Sequence, residues 1–170
     1  GDIYVGTGEG MYYSASGLES QGILGQGVYK STDGGNTFTH LSSTTPSTPN
    51  SSGASWTSVG RLACDPVNAD RVYASTNRGF WISDDGGQSW TEEGLTGSSS
   101  SRDVEVASDG RVYLQYSTRV YVSPNGNPGT FTQLADIPSS SGRIELAVAP
   151  SDPNTLYVVT TNGSEHTGIY

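Results

Sequence analysis

The chain has 170 residues, enough for one domain, with 17 acidic against 8 basic residues and a formal charge of −9. That balance argues against nucleic acid or an anionic membrane surface as partner, because both select basic patches. The 23 glycines speak against long helices, and no apolar run reaches the length needed to insert in a membrane. The single cysteine, Cys64, excludes an internal disulfide, and its place in a strand reads as a small core residue. The chain opens at Gly1 without a signal peptide, which reads as a processed or incomplete product.

Short β-branched and aromatic runs between Gly, Asn, Pro and Ser turns predict strands along the whole chain. Ile3-Tyr4-Val5 comes first, then Val28-Tyr29-Lys30, then Phe38-Thr39-His40-Leu41. Leu62-Ala63-Cys64, Val72-Tyr73-Ala74, Phe80-Trp81-Ile82 and Trp90-Thr91-Glu92-Glu93 form a full set of four. Val104-Glu105-Val106, Val112-Tyr113-Leu114, Val120-Tyr121-Val122 and Phe131-Thr132-Gln133-Leu134 repeat it. Leu146-Ala147-Val148, Leu156-Tyr157-Val158 and Ile169-Tyr170 begin it again. With the four positions labelled A to D, the chain reads BCD, ABCD, ABCD, ABC. The expected units are 1–41, 59–94, 102–134 and 143–170, all segments of one domain. Two insertions, Gly8 to Gly27 and Ser42 to Ser58, stretch the first repeat. The Ser/Thr/Pro run from Ser42 to Gly53 reads as a solvated, mobile loop.

Two copies of one signature join the C and D positions: Ser31-Thr32-Asp33-Gly34-Gly35-Asn36-Thr37-Phe38 and Ser83-Asp84-Asp85-Gly86-Gly87-Gln88-Ser89-Trp90. A decayed third copy runs from Ser123 to Phe131, with Asn125 in place of the aspartate. An Asp carboxylate accepting turn N–H groups, glycines that take positive φ and a closing aromatic anchor together make a tight hairpin. The pattern Ser-x-Asp-x-Gly-x-Thr-Trp resembles that of the Asp-box (BNR-repeat) β-propellers, and most of all the sortilin-like and xyloglucanase-like exported propellers, many of which look like type IX secretion substrates. The resemblance implies an all-β fold: a β-propeller of four-stranded antiparallel blades, present as a partial propeller of about three to four blades, in a secreted or cell-surface protein. It also implies that Ser31, Asp33, Gly35, Phe38, Ser83, Asp85, Gly87 and Trp90 are structural.

A propeller left open exposes an apolar face at each end. At roughly 400 Å² a face, the lost burial is on the order of 10 kcal/mol, which rivals the net stability of a domain. The expected partner is therefore the remainder of the same propeller or another polypeptide that completes it. The alternative is that the first and last partial units pair into one composite blade.

Antiparallel strands place the A–B turns and the Asp hairpins at one end, and the B–C and D–A loops at the other. Both insertions fall on the second end, where repeat proteins carry their binding residues. The candidate ligand-binding residues there are Glu9, Tyr12, Tyr13, Glu19, Trp56, Asn77, Arg78, Arg119 and His166. Aromatics beside amides and charges suit a glycan or protein ligand; the alternative is that Tyr12, Tyr13 and Trp56 pack the insertions down. Arg61, Arg102 and Arg143 recur along the chain, but register places Arg61, Asp103 and Glu145 at one strand position, which reads as a mixed charged collar near the axis. Glu105 and Glu145 are expected to meet a neighbouring arginine or water. No residue is assigned to catalysis, metal binding or a cofactor.

The leading expectation is a non-catalytic repeat module of a secreted or surface protein that binds glycan or protein through its loop face. Two alternatives stand beside it: part of a propeller glycoside hydrolase whose catalytic carboxylates lie partly outside these residues, and a structural spacer of a large adhesin.

Overall fold

The computed structural model describes residues 1–8, 23–48, 51, 53–96, 100–163 and 165–170. Four antiparallel sheets follow one another along the chain. The first contains β1 (Ile3–Gly6), β2 (Val28–Ser31) and β3 (Thr39–His40). The second contains β4 (Val59–Cys64), β5 (Val72–Thr76), β6 (Phe80–Ser83) and β7 (Thr91–Glu92). The third contains β8 (Ser101–Val106), β9 (Val112–Tyr116), β10 (Arg119–Ser123) and β11 (Thr132–Gln133). The fourth contains β12 (Ile144–Val148), β13 (Leu156–Asn162) and β14 (Glu165–Ile169). Each strand pairs with its neighbour in sequence, so every sheet is a meander. Among the described residues, the first sheet has no innermost strand and the fourth no outermost. They remain separate sheets, so no composite blade forms.

Consecutive sheets meet along their inner strands, β1 with β4, β4 with β8 and β8 with β12. This is an arc of a β-propeller, with sheets stacked face to face around an axis. Strands β5 and β9 are buried at every residue because each face of a middle sheet is covered by a neighbour. Alternation sorts the side chains of a B strand between the two interfaces. Val112 and Leu114 look back into the core shared with Tyr73, Phe80 and Ile82 of the second sheet. Tyr113 and Val120 look forward into the core shared with Ile144, Leu146 and Val158 of the fourth. The same sorting puts Val28 against Trp56, Val59 and Ala74 between the first and second sheets.

The two end sheets each have one face without a neighbour. On the first, Ile3, Val5 and Phe38 are 41%, 42% and 43% exposed; on the last, Tyr157 and Ile169 are 54% and 67% exposed. Phe38 is thus not the buried anchor the hairpin pattern predicts. Its equivalent Phe131 packs on Phe80 of the preceding sheet at 5.4 Å between ring centroids, and Phe38 has no preceding sheet to meet. Cys64 is exposed too, against expectation. It ends β4 within electrostatic reach of Asp2 and Lys30, where the first sheet has no inner strand to cover it.

The Ser42–Gly53 run also departs from expectation. Ser42–Thr44 forms a single 3₁₀ turn, Thr44 and Pro46 are buried, and the Thr44 hydroxyl accepts the Val28 N–H at 2.9 Å. The Ser43 hydroxyl donates to the Gly87 carbonyl at 2.7 Å, so the run begins as a tie between the first two sheets.

Candidate functional site

The hairpin end is occupied by internal hydrogen bonds. In the second hairpin the Ser83 hydroxyl donates to Asp85 Oδ1 at 2.9 Å and accepts the Gly87 N–H at 2.8 Å. Asp85 Oδ1 also accepts the Ser89 N–H at 2.8 Å, and its Oδ2 accepts the Ser89 hydroxyl at 2.5 Å. The first hairpin repeats this with Ser31, Asp33, Gly35 and Thr37. Gly34, Gly35, Gly86 and Gly87 all take positive φ between 69° and 94°, as such a reversal requires. The hydroxyl and backbone N–H of Thr37, with the Ser31 hydroxyl, hold the Asp33 carboxyl well below the usual carboxylate range; the Ser89 hydroxyl likewise lowers that of Asp85. In the third hairpin the Ser123 hydroxyl accepts the Gly126 N–H at 2.8 Å, while Asn125 Oδ1 accepts the Asn127 N–H at 3.1 Å and longer bonds from the Thr130 and Ser123 hydroxyls at 3.2 and 3.4 Å.

The inner strands carry a ladder of charges. Arg61 on β4 reaches Asp103 on β8, Nε to Oδ1 at 3.5 Å, and pairs with Glu105. Asp103 is buried, and its Oδ2 accepts the Leu146 N–H of β12 at 2.7 Å. Arg143 pairs with Glu145 on β12. The mixed collar is therefore present, and both Glu105 and Glu145 meet an arginine. Burial pushes the Asp103 carboxyl up to about 6, against the Leu146 N–H bond, and the neighbouring Glu145 and Glu105 charges add to the rise. The chemical consequence is structural: Asp103 is covered, and the half-buried carboxylates beside it, Glu105 and Glu145, are held by arginines. Glycosidic cleavage asks for two carboxyl groups that face each other across a bond, roughly 5–10 Å apart and open to substrate.

The loop end is where the ligand residues were sought. Glu9, Tyr12, Tyr13 and Glu19 lie outside the described residues. Trp56 is not a surface aromatic. It is 5% exposed, at 5.2 Å from the Trp81 ring and 5.1 Å from the Trp90 ring, so the packing alternative holds for it. Its φ of 69° is a left-handed conformation that a bulky side chain rarely adopts, and its carbonyl accepts the Gly27 N–H at 3.0 Å. The Gly25 N–H likewise donates to the Thr57 carbonyl at 2.7 Å, so the ends of the two insertions clip to each other. Asn77 is a brace: its amide donates to the Ala54 carbonyl and the Thr57 hydroxyl, each at 3.1 Å. Arg78, Arg119 and His166 are exposed and stand at the B–C connections of the second, third and fourth sheets. Arg61, Arg102 and Arg143 sit at the starts of the inner strands, at this same end. Arg71 and Arg111 belong to the hairpin end, where Arg71 pairs with Asp84 at 2.5 Å. The acidic chain thus gathers most of its arginines at the loop end.

Sequence reading gave no role to Glu93, which is buried and accepts the Gly129 N–H at 2.8 Å across the second and third sheets. It follows two exposed polar residues in a short strand, and no pattern marks it. A cleft of about 230 Å³ at the loop end of the last sheet is lined by Pro138, Ser139–Ser141, Thr160–Asn162, Thr167 and Tyr170. Its hydroxyls are largely engaged, Ser141 with Asn162 at 2.9 Å and Thr160 with Thr167 at 2.8 Å.

A scan of protein-family models finds no match, and no curated protein matches the chain. Solved structures do. An ancestral GH74 enzyme superposes with a TM-score of 0.61 at 20% identity over 86% of this chain. The GH74 xyloglucanase from Xanthomonas campestris superposes with a TM-score of 0.59 at 16% identity over 84%. At these identities the likeness is one of fold. The chain spans 20% and 26% of the length of those two proteins.

Proposed function

We propose that these residues form a non-catalytic section of an Asp-box propeller in an exported or cell-surface protein, and that the loop end binds a glycan or a protein. Further sheets, from a longer chain or from another polypeptide, cover its open end faces. The observation that carries the non-catalytic reading is the inner charged ladder, in which Asp103, Glu105 and Glu145 are each taken up by Arg61, Arg143 or the Leu146 N–H. Arg78 and Arg119 give the loop end a cationic character against an overall charge of −9, which favours a ligand with acidic groups. Affinity electrophoresis against neutral and uronate-containing polysaccharides tests this. Retardation is expected in the acidic gels, weakened several-fold in Arg78→Ala/Arg119→Ala; equal mobility in all gels rejects a glycan ligand.

The second reading rests on the fold neighbours, which are GH74 enzymes. In that reading the chain is a section of a propeller glycoside hydrolase, with part of its catalytic pair on other sheets. Release of reducing sugar from xyloglucan, abolished in Glu9→Gln or Glu19→Gln, supports it. Unchanged release in both variants leaves these residues as framework.

A further inference from the structure

Asparagine is followed by glycine twice in the chain, at Asn125-Gly126 and at Asn162-Gly163. In such a pair the glycine nitrogen can reach the side-chain carbonyl carbon of the asparagine, because no Cβ stands in the way. The fold puts the two pairs in opposite situations. Asn125-Gly126 lies in the third hairpin, where Gly126 is buried and its N–H donates to the Ser123 hydroxyl at 2.8 Å. The carbonyl of the same peptide unit, that of Asn125, accepts from Arg71 Nη1 at 2.7 Å. The Tyr73 hydroxyl covers Gly126 so closely that a Cβ there would stand 1.9 Å from it. Both ends of this peptide unit are held, so its nitrogen reaches Asn125 Cγ only after a hydrogen bond breaks.

Asn162-Gly163 stands at the turn between β13 and β14. Register pairs Asn162 with Glu165, and both Asn162 and Gly163 are exposed. Gly163 has a φ of 63° and open space where a Cβ would be. Among the described residues its N–H meets no acceptor, and the side-chain nitrogen of Asn162 meets no partner. The one bond to that side chain is from the Ser141 hydroxyl to Oδ1, at 2.9 Å. It draws electrons from the carbonyl carbon and leaves the amide nitrogen free to depart. The exposure belongs to the turn. Arg78 and Thr118 stand at the same turn of the second and third sheets, which have a sheet on either side, and both are exposed.

We infer that Asn162 is a site of spontaneous deamidation and that Asn125 is locked against it. The Gly163 nitrogen gives its proton to hydroxide and bonds to Asn162 Cγ. The bond from Cγ to the side-chain nitrogen then breaks, and ammonia leaves a five-membered succinimide behind. Water opens that ring at either carbonyl, giving aspartate or isoaspartate, with nothing oxidised or reduced. Both products add a negative charge at the loop end. Isoaspartate also lengthens the backbone by one methylene, which disturbs the pairing of Asn162 with Glu165. The inference stands apart from the ligand reading, since no candidate ligand residue takes part in the reaction.

The test is peptide mapping by mass spectrometry of the full folded chain, sampled during incubation in mildly alkaline buffer. Trypsin cleaves after Arg119 and Arg143, so the two asparagines fall in separate peptides. Deamidation is expected to be faster at Asn162 than at Asn125 by roughly tenfold or more, the factor that one retained hydrogen bond supplies. The Asn162 product should divide into aspartate and isoaspartate peptides, the second methylated by an isoaspartate methyltransferase. In urea, where the third hairpin is gone, the two rates should converge. Equal rates in the folded chain overturn the inference, as does an Asn162 that stays intact when folded and reacts in urea. A difference that persists unchanged in urea overturns it too, because neighbours in sequence and not the fold would then set the rates.

Discussion

Ser83 is the residue on which the second hairpin turns, because its buried hydroxyl serves both Asp85 and the Gly87 N–H. Ser83→Ala leaves the carboxylate and the amide without that partner, and we expect a loss of about 1–3 kcal/mol in urea unfolding. Two carboxylates here titrate with opposite sign. Hydrogen bonds, first that from the Ser89 hydroxyl, lower the folded carboxyl of Asp85, so its stabilisation is present above the unfolded value near 3.8 and is lost as pH falls through the folded one. Burial raises that of Asp103 to about 6, so the folded state binds this proton more tightly and stability falls as pH rises from about 4 to about 6. The contributions of these two groups are together largest near pH 4. Asp103→Asn, whose amide keeps an acceptor for the Leu146 N–H, should remove the slope between pH 4 and 6 and leave the chain at least as stable at pH 7. The difference is at most about 3 kcal/mol. A slope that persists in the variant shows that another group controls it.

Between elements, a tyrosine tip meets a hairpin glycine at the first two junctions, Tyr4 at Gly86 and Tyr73 at Gly126, while Tyr113 at the third donates to the Pro153 carbonyl at 3.0 Å. Gly126 has a φ of 66° and the Tyr73 hydroxyl where a Cβ would go, while Tyr73 also donates to Asp65 at 3.1 Å. Gly126→Ala should destabilise by about 1–3 kcal/mol from overpacking alone, with backbone strain in addition. In Tyr73→Phe/Gly126→Ala the cost should be less than the sum of the single variants, since the phenylalanine vacates the space. Additive costs in thermal unfolding reject a direct contact. The strands themselves were legible in the sequence, since each B strand repeats a Tyr between two apolar residues and the hairpins mark where C gives way to D. Burial was not legible wherever it depends on a neighbouring sheet. Phe38 and Phe131 carry the same local pattern, and only the second has a sheet behind it. Trp56 and Asn77 likewise stood in loops that looked free to bind. They serve instead to hold the second insertion, through rings and amides contributed by residues 20 or more positions away. The charged ladder was half legible: register put Arg61, Asp103 and Glu145 in one row, but which pairs close depends on how successive sheets rotate.

At the scale of the whole arc, stability is a sum over sheets and the junctions between them, because among the described residues the main contacts of each sheet are with its neighbours along the chain. The second and third sheets have two junctions each, and the first and fourth have one. Local opening should follow that count. Hydrogen exchange is expected to be slowest in β5, β6, β9 and β10, whose residues are mostly buried, and faster by orders of magnitude in β14, where every described residue is exposed or half-buried. β1 should exchange faster than β5 although both occupy the B position, since its Ile3 and Val5 face solvent where Val72 and Ala74 are buried. Uniform protection across all four sheets would mean that the arc unfolds as one unit and that its end faces are stable without a neighbour.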